Sequence, residues 1–285
     1  MRDLADSVKL ARQTSSDYAD KTYFYLRVGM ASMVFMLFVS IGVEWVTTGC
    51  GRTSISSYYH SPVRSIFVST MIAMGLCLIA IKGRTLWEDI SLNLAGILAP
   101  VVAWVPTSGR GLDLCGTDNL RTRPRYDVPE DPGVADVVEA ALAKTAEVSI
   151  SSSIDNNLVT GAVVGFILLG FALFTALGDK DGLDYEEKVG ITVAAIVVVG
   201  GVAHYILNEA QFLRRAHGIS ALLVFVFLIF AIWMHAFERG QEGDDSPLLN
   251  VYKGIAALMA VVGLVQVAPI SFDRKTLIVE IVELL

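Results

Sequence analysis

Charge is what this chain has least of. Asp, Glu, Lys and Arg make up 18% of its 285 residues, against 54% hydrophobic residues and a mean hydropathy of +0.57. A soluble domain of this length needs more charged surface, so the composition points to lipid as the solvent. Clustered Lys and Arg are missing as well. The net charge is -7, and between Ser108 and Asp155 nine acidic residues (Asp113, Asp118, Asp127, Glu130, Asp131, Asp136, Glu139, Glu147, Asp155) outnumber five basic ones. Phosphate binding needs concentrated positive charge, so nucleic acid is excluded as a partner. The N-terminal stretch lacks the short apolar core and small-residue cleavage site of a secretory signal, and the first spanning helix is expected to serve for insertion. No lysine lies deep in the last long apolar run, which removes a retinal Schiff base. Paired broken helices and internal repeats are absent, against a secondary transporter.

Long apolar runs are what the chain has in abundance. A helical crossing needs about 20 mainly apolar residues. Seven stretches qualify: Phe24 to Val46, Ile66 to Ile81, Ile90 to Val105, Leu158 to Leu177, Val189 to Leu207, Ile219 to Phe237 and Val251 to Ile270. The expected fold is an all-α polytopic transmembrane helix bundle with seven spans and a truncated eighth. Residues 1–22, with Arg2, Lys9, Arg12 and Lys21, form a cytoplasmic arm; 23–107 hold spans one to three. Residues 108–157 form a long acidic extracytoplasmic loop, 158–271 hold spans four to seven, and 272–285 form an outer loop and the start of the eighth span. Lys and Arg in the short loops favour an N-terminus inside. The long loop is rich in Pro and charge from Thr122 to Gly133 and then offers one amphipathic helix, Asp136 to Glu147. A loop of that length is a lid, a docking surface or a solvated insertion.

Under this topology Cys50 and Cys115 both lie on the outer, oxidising face and are expected to form a disulfide, while Cys77 reads as a packing residue. Gly161 with Gly165, and Gly200 with Gly201, allow close helix approach. Ser91, Asn93, Tyr252 and Gln266 are expected to hydrogen-bond between helices.

The densest polar stretch runs from Thr53 to Thr70, at the mouth of the second span. Ionisable residues fall at the same expected membrane level: Glu44, His60, Arg64, His204, Glu209, Arg214, Arg215 and His217. Such residues at span ends are costly unless they pair, bind something or reach water. Two chemistries suit them. His60, His204 and His217 with a water make a zinc arrangement, with Glu44 or Glu209 moving the proton. Alternatively Arg64, Arg214 and Arg215 hold a lipid phosphate or other anionic head group, with hydroxyls from Ser54, Ser56, Tyr58 and Tyr59 filling its remaining acceptors. The bland reading makes them interfacial anchors, since Tyr, His and Arg favour the head-group region. His235 reads as a helix C-terminal residue. Paired haem ligation by His217 and His235 is unattractive, because 18 residues of helix separate them by about 27 Å.

The pattern Ser54-Ile55-Ser56-x-Tyr58-Tyr59-x-x-Pro62-x-Arg64-x-x-Phe67-Val68 is followed by Lys82-Gly83, Glu88-Asp89, Asn93-x-Ala95-Gly96 and Pro106-Thr107. Together these resemble a group of uncharacterised bacterial multi-spanning membrane proteins, which implies a bacterial plasma membrane. The resemblance continues at His217, at Tyr252-x-x-Gly254 and at Glu280, and implies a further span beyond Leu285. More remotely, Ser56-x-x-x-His60 is similar to an element of the alkaline ceramidase and progestin-receptor-like membrane hydrolases, which hold zinc with three histidines. This chain lacks that family's aspartate in the third span and its His-x-x-x-His in the seventh. The expected function is an outer-leaflet polar site for a membrane lipid or small molecule, or a membrane subunit of a larger assembly or homo-oligomer. The alternative is a zinc-dependent lipid hydrolase, and zinc is the one candidate cofactor.

Overall fold

The computed structural model describes residues 2–49, 51–52, 54–106, 132–178, 185–241 and 247–272, and every regular element among them is a helix. In chain order these are α1 (Arg2–Thr48), a 3-10 helix (Ile55–His60), α2 (Arg64–Ala80), α3 (Leu86–Trp104), α4 (Pro132–Gly178), α5 (Tyr185–Leu207), α6 (Glu209–Gln241) and α7 (Pro247–Phe272). Each expected span falls on one of the seven α-helices, in order. Five segments are long and apolar enough to cross a bilayer: Lys21–Thr48, Leu86–Trp104, Ser152–Thr175, Tyr185–Leu207 and Glu209–Gln241. The apolar helices Arg64–Ala80 and Leu249–Val261 are shorter. Among large apolar side chains on α4 and α5, Phe174 is 75% exposed and Ile206 72%. Surface of this kind is favourable in hydrocarbon and costs about 25 cal/mol per Å² in water. The chain is therefore a multi-pass membrane protein.

Two helices run further than the hydropathy indicates. The expected N-terminal arm is the first part of α1, which continues unbroken into the span because neither glycine nor proline interrupts it before Gly29. Its 47 residues measure about 70 Å, more than twice the hydrocarbon thickness. The helix stops at Gly49, whose φ of 69° is the left-handed conformation of a helix C-terminus; its N–H donates to the Trp45 carbonyl at 2.8 Å. The second case corrects the long loop. Its latter part is the start of α4, which opens with Pro132 in the first turn and runs through the polar stretch Ser149 to Asn157 into the fourth apolar run. Serine and asparagine are weak helix formers, but no Gly or Pro breaks the pattern from Val134 to Thr160. The Pro-rich half of that loop, the C-terminal tail, and Cys50 and Cys115 of the expected disulfide lie outside the described residues.

The chain divides into two compact units, one built from residues 1–81 and 103–160, the other from 82–102 and 161–285. In the first unit α1 packs on α2, and the 3-10 helix packs on the start of α2. Buried Thr70 of α2 donates its hydroxyl to the Met33 carbonyl of α1 at 3.4 Å. Leu37 and Glu44 are the buried residues further along α1, and their seven-residue spacing puts them on one face.

In the second unit α6 packs mainly on α7 and less on α5. Most of the α3 stretch in this unit is buried, including Leu94, Ala95, Ala99 and Val102. Pro100 lies within α3; having no N–H, it leaves the Gly96 carbonyl without its helical donor. On α4, a Cβ at Gly165 would stand 3.3 Å from Val198 Cγ1 of α5, so this glycine permits a close approach. Gly200 and Gly201 have nothing within 4 Å of a Cβ position among the described residues.

Candidate functional site

The polar stretch after α1 folds on its own hydrogen bonds. Ser54 caps the 3-10 helix: the Ser57 N–H donates to its Oγ at 3.2 Å, and the Ser57 hydroxyl donates to its carbonyl at 2.6 Å. Ser61 closes the other end, donating its hydroxyl to the Tyr58 carbonyl at 2.8 Å and accepting the Val63 N–H at 3.2 Å. Short hydroxyl side chains compete for backbone groups in this way wherever a turn is tight. Much of the hydroxyl density that the sequence offered as ligand contacts is thus spent on the turn. Ser56 Oγ lies 3.4 Å from Ser54 Oγ.

The buried part of this corner is aromatic and flanked by guanidiniums. Tyr59 is 2% exposed, and Tyr58 is buried beside it. Arg64 Nη2 donates to the Tyr59 hydroxyl at 2.7 Å, and the Arg64 guanidinium carbon sits 4.3 Å from the Tyr59 ring centroid. The Arg52 N–H donates to the Tyr58 hydroxyl at 3.2 Å, with its guanidinium 5.7 Å from that ring. His60 meets the Tyr59 ring edge to face at 5.4 Å. Burial pushes the Tyr59 phenol above its usual pKa, and the charge and hydrogen bond of Arg64 oppose that shift. Arg64, expected to grip an anion, is tied to Tyr59. Arg52 is different: its Nη1 is buried and has no hydrogen-bond partner among the described residues.

Apart from Glu44, buried on α1, the remaining expected site residues belong to the second unit. A single residue, Asn208, joins α5 to α6. Its N–H donates to the His204 carbonyl at 2.9 Å, and its side-chain oxygen accepts the Gln211 N–H at 3.3 Å, so it ends one helix and caps the next. The Phe212 ring packs edge to face on His204 and Tyr205. His217 and Ser220 are buried on α6, whereas Arg214 and Glu209 are exposed. Among the described residues no group of three or more His, Cys, Asp or Glu is gathered as a metal ion would require.

A second polar constellation surrounds the start of α3. Asp89 Oδ1 accepts the Gly83 N–H at 2.9 Å, and its Oδ2 accepts Lys82 Nζ at 2.9 Å. Buried Glu88 accepts the Arg84 N–H on Oε2 at 3.0 Å, while its own N–H donates to Thr85 Oγ1 at 3.2 Å. This is a capping-box arrangement displaced by one residue. Gly83 is obligatory: a Cβ there would stand 2.3 Å from the Asp89 nitrogen. From α6, His235 Nδ1 lies 3.1 Å from Glu88 Oε1, and the Tyr252 ring of α7 packs edge to face on His235 at 4.8 Å. An ionised carboxylate only accepts, so with Glu88 charged Nδ1 is the donor.

Sequence reading placed His235 at a helix end and noted Tyr252 for interhelical bonding, but joined neither to Glu88. The available signal was Thr85-x-x-Glu88 ahead of an apolar run. Ser91 and Asn93 bond within α3, to the Trp87 carbonyl and to Asp89, rather than across helices. The Gln266 side chain is outside the described residues. Comparison with known protein families, with curated proteins and with solved structures gives no match.

Proposed function

We infer that the protein binds an anionic head group, carried by a lipid or a small molecule, at the corner between α1 and α2, in a membrane bundle of seven crossings with its N-terminus inside. The observation that carries this reading is Arg52. A guanidinium nitrogen withdrawn from water without an acceptor is expensive, and a phosphate or carboxylate oxygen is the acceptor whose geometry suits it. The neighbouring groups fit the same ligand. Arg64 holds a second positive charge on the next tyrosine, and Ser54 and Ser56 carry hydroxyls at the exposed rim. The reading rests on first-unit residues alone and does not need Arg214 or His217. The zinc-hydrolase alternative gains no supporting observation.

The test is ligand retention by the purified full-length chain. In nanodiscs containing phosphatidylglycerol, the chain should carry one anionic lipid into native mass spectrometry, and Arg52→Ala should lower retention at least tenfold, about 1.4 kcal/mol. Arg214→Ala should leave it unchanged. Titration with inorganic phosphate separates a free anion from a lipid. Equal retention by Arg52→Ala and the parent chain defeats the reading.

A further inference from the structure

The α1–α2 pair holds a feature independent of the anion corner. A groove of about 320 Å³ runs between the two helices, bordered on α1 by Met30 and Met33 and on α2 by Met74 and Cys77. Both pairs have the three-residue spacing that puts side chains on one helix face, so each helix turns two sulfurs to the same space. Cys77 is a free thiol. Gly29 and Ala73 also line it. Methionines that only filled the core would close such a space, since the thioether is the most adaptable packing group.

We propose that this groove is a binding site for a soft monovalent metal ion, Cu(I), held by Cys77 thiolate and the Met30, Met33 and Met74 thioethers. Ligand type selects the ion. Among the described residues, the groove's only oxygen-bearing side chains are the hydroxyls of Thr22 and Tyr25, and no carboxylate or imidazole lines it. That set is wrong for Mg²⁺ or Ca²⁺ and poor for Zn²⁺, while thiolate and thioether donors suit Cu(I). Charge selects it again. Binding replaces the thiol proton with the metal and releases one H⁺, and a univalent cation on one thiolate carries no net charge. A neutral complex is the one form a lipid-facing groove holds without desolvating an unpaired charge. Access comes from one membrane surface, since Thr22 and Tyr25 precede the apolar core of α1 and Cys77 lies in the last turn of α2.

Anaerobic titration of the full chain with Cu(I) against a chromogenic Cu(I) chelator reads the site directly. Cys50→Ser/Cys115→Ser removes the other two thiols and should keep one Cu(I) per chain. Adding Cys77→Ser, or the volume-conserving pair Met33→Leu/Met74→Leu, should weaken binding at least tenfold, and Zn²⁺ should not be retained in the groove. X-ray absorption at the copper edge of the unmutated chain should show sulfur neighbours only, a readout that does not depend on any variant folding. Less than one Cu(I) in ten chains, affinity unchanged in the sulfur variants, or a nitrogen- and oxygen-dominated copper shell each overturns the proposal.

Discussion

Tyr59 shows what a single side chain contributes at the first corner. Its phenol is buried among protein groups and favoured in the neutral form, so its folded pKa lies above the unfolded value near 10. The sign follows from linkage. A neutral group preferred by the fold stabilises it fully below the unfolded pKa, and the contribution is lost as pH rises through the folded one. Thermal unfolding in detergent should therefore show a Tyr59-dependent decline only above about pH 10. Tyr59→Phe should remove that component of the decline. An identical alkaline profile in the two proteins would contradict it. The residue scale is also where sequence reading was least able to see. It grouped Ser54, Ser56, Tyr58, Tyr59, His60 and Arg64, but composition does not say whether a hydroxyl serves a ligand or the next backbone N–H. That depends on φ and ψ, such as the extended Ser54 at -146° and 156° that turns its Oγ back onto Ser57. Arg52, one residue before the noted stretch, passed for an ordinary loop cation.

At the scale of elements, helix existence was legible and helix ends were not. Every apolar run became a helix because lipid leaves the backbone no other partner for its polar groups. The ends depend on local devices instead. Gly49 stops α1, Asn208 serves two helices at once, and the Lys82–Asp89 turn launches α3 with both acidic side chains folded back on it. That last device gives a sharp test. Gly83→Ala places a methyl group against the Asp89 backbone, which cannot move without dragging the first turn of α3 with it. A loss of about 2 kcal/mol or more is expected, read as a lowered unfolding midpoint. A midpoint equal to that of the parent chain would mean the turn is not locked. The continuity of α4 escaped sequence reading for the opposite reason: polarity in Ser149 to Asn157 was taken for a loop, yet polarity does not end a helix when no Gly or Pro is present.

For the whole molecule, the number of crossings decides what every loop can meet. Five helices span by length, and the count reaches seven only if α2 and α7 cross too. At 17 residues α2 measures about 26 Å, just short of the usual 30 Å core, so the bilayer must thin or flanking residues must reach outward. Single cysteines at Pro62 and Arg84, in a chain with its native cysteines replaced, should react with an impermeant maleimide from opposite sides of sealed vesicles. Labelling of both from one side would make α2 re-entrant and reverse the sidedness of everything after it. Sequence alone indicated lipid as the solvent, the helical class and the order of the apolar helices. It left the ligand chemistry open because the groups on which the two proposals rest, Arg52 and the sulfur-lined groove, depend on which faces of α1 and α2 meet.

Pro100 carries one more implication. In the middle of α3, one carbonyl is released from the ladder at Gly96. A rod with a missing strut yields there before anywhere else along its length. Whatever tilts the end of α3 latched by Glu88 and His235 meets least elastic resistance at that point.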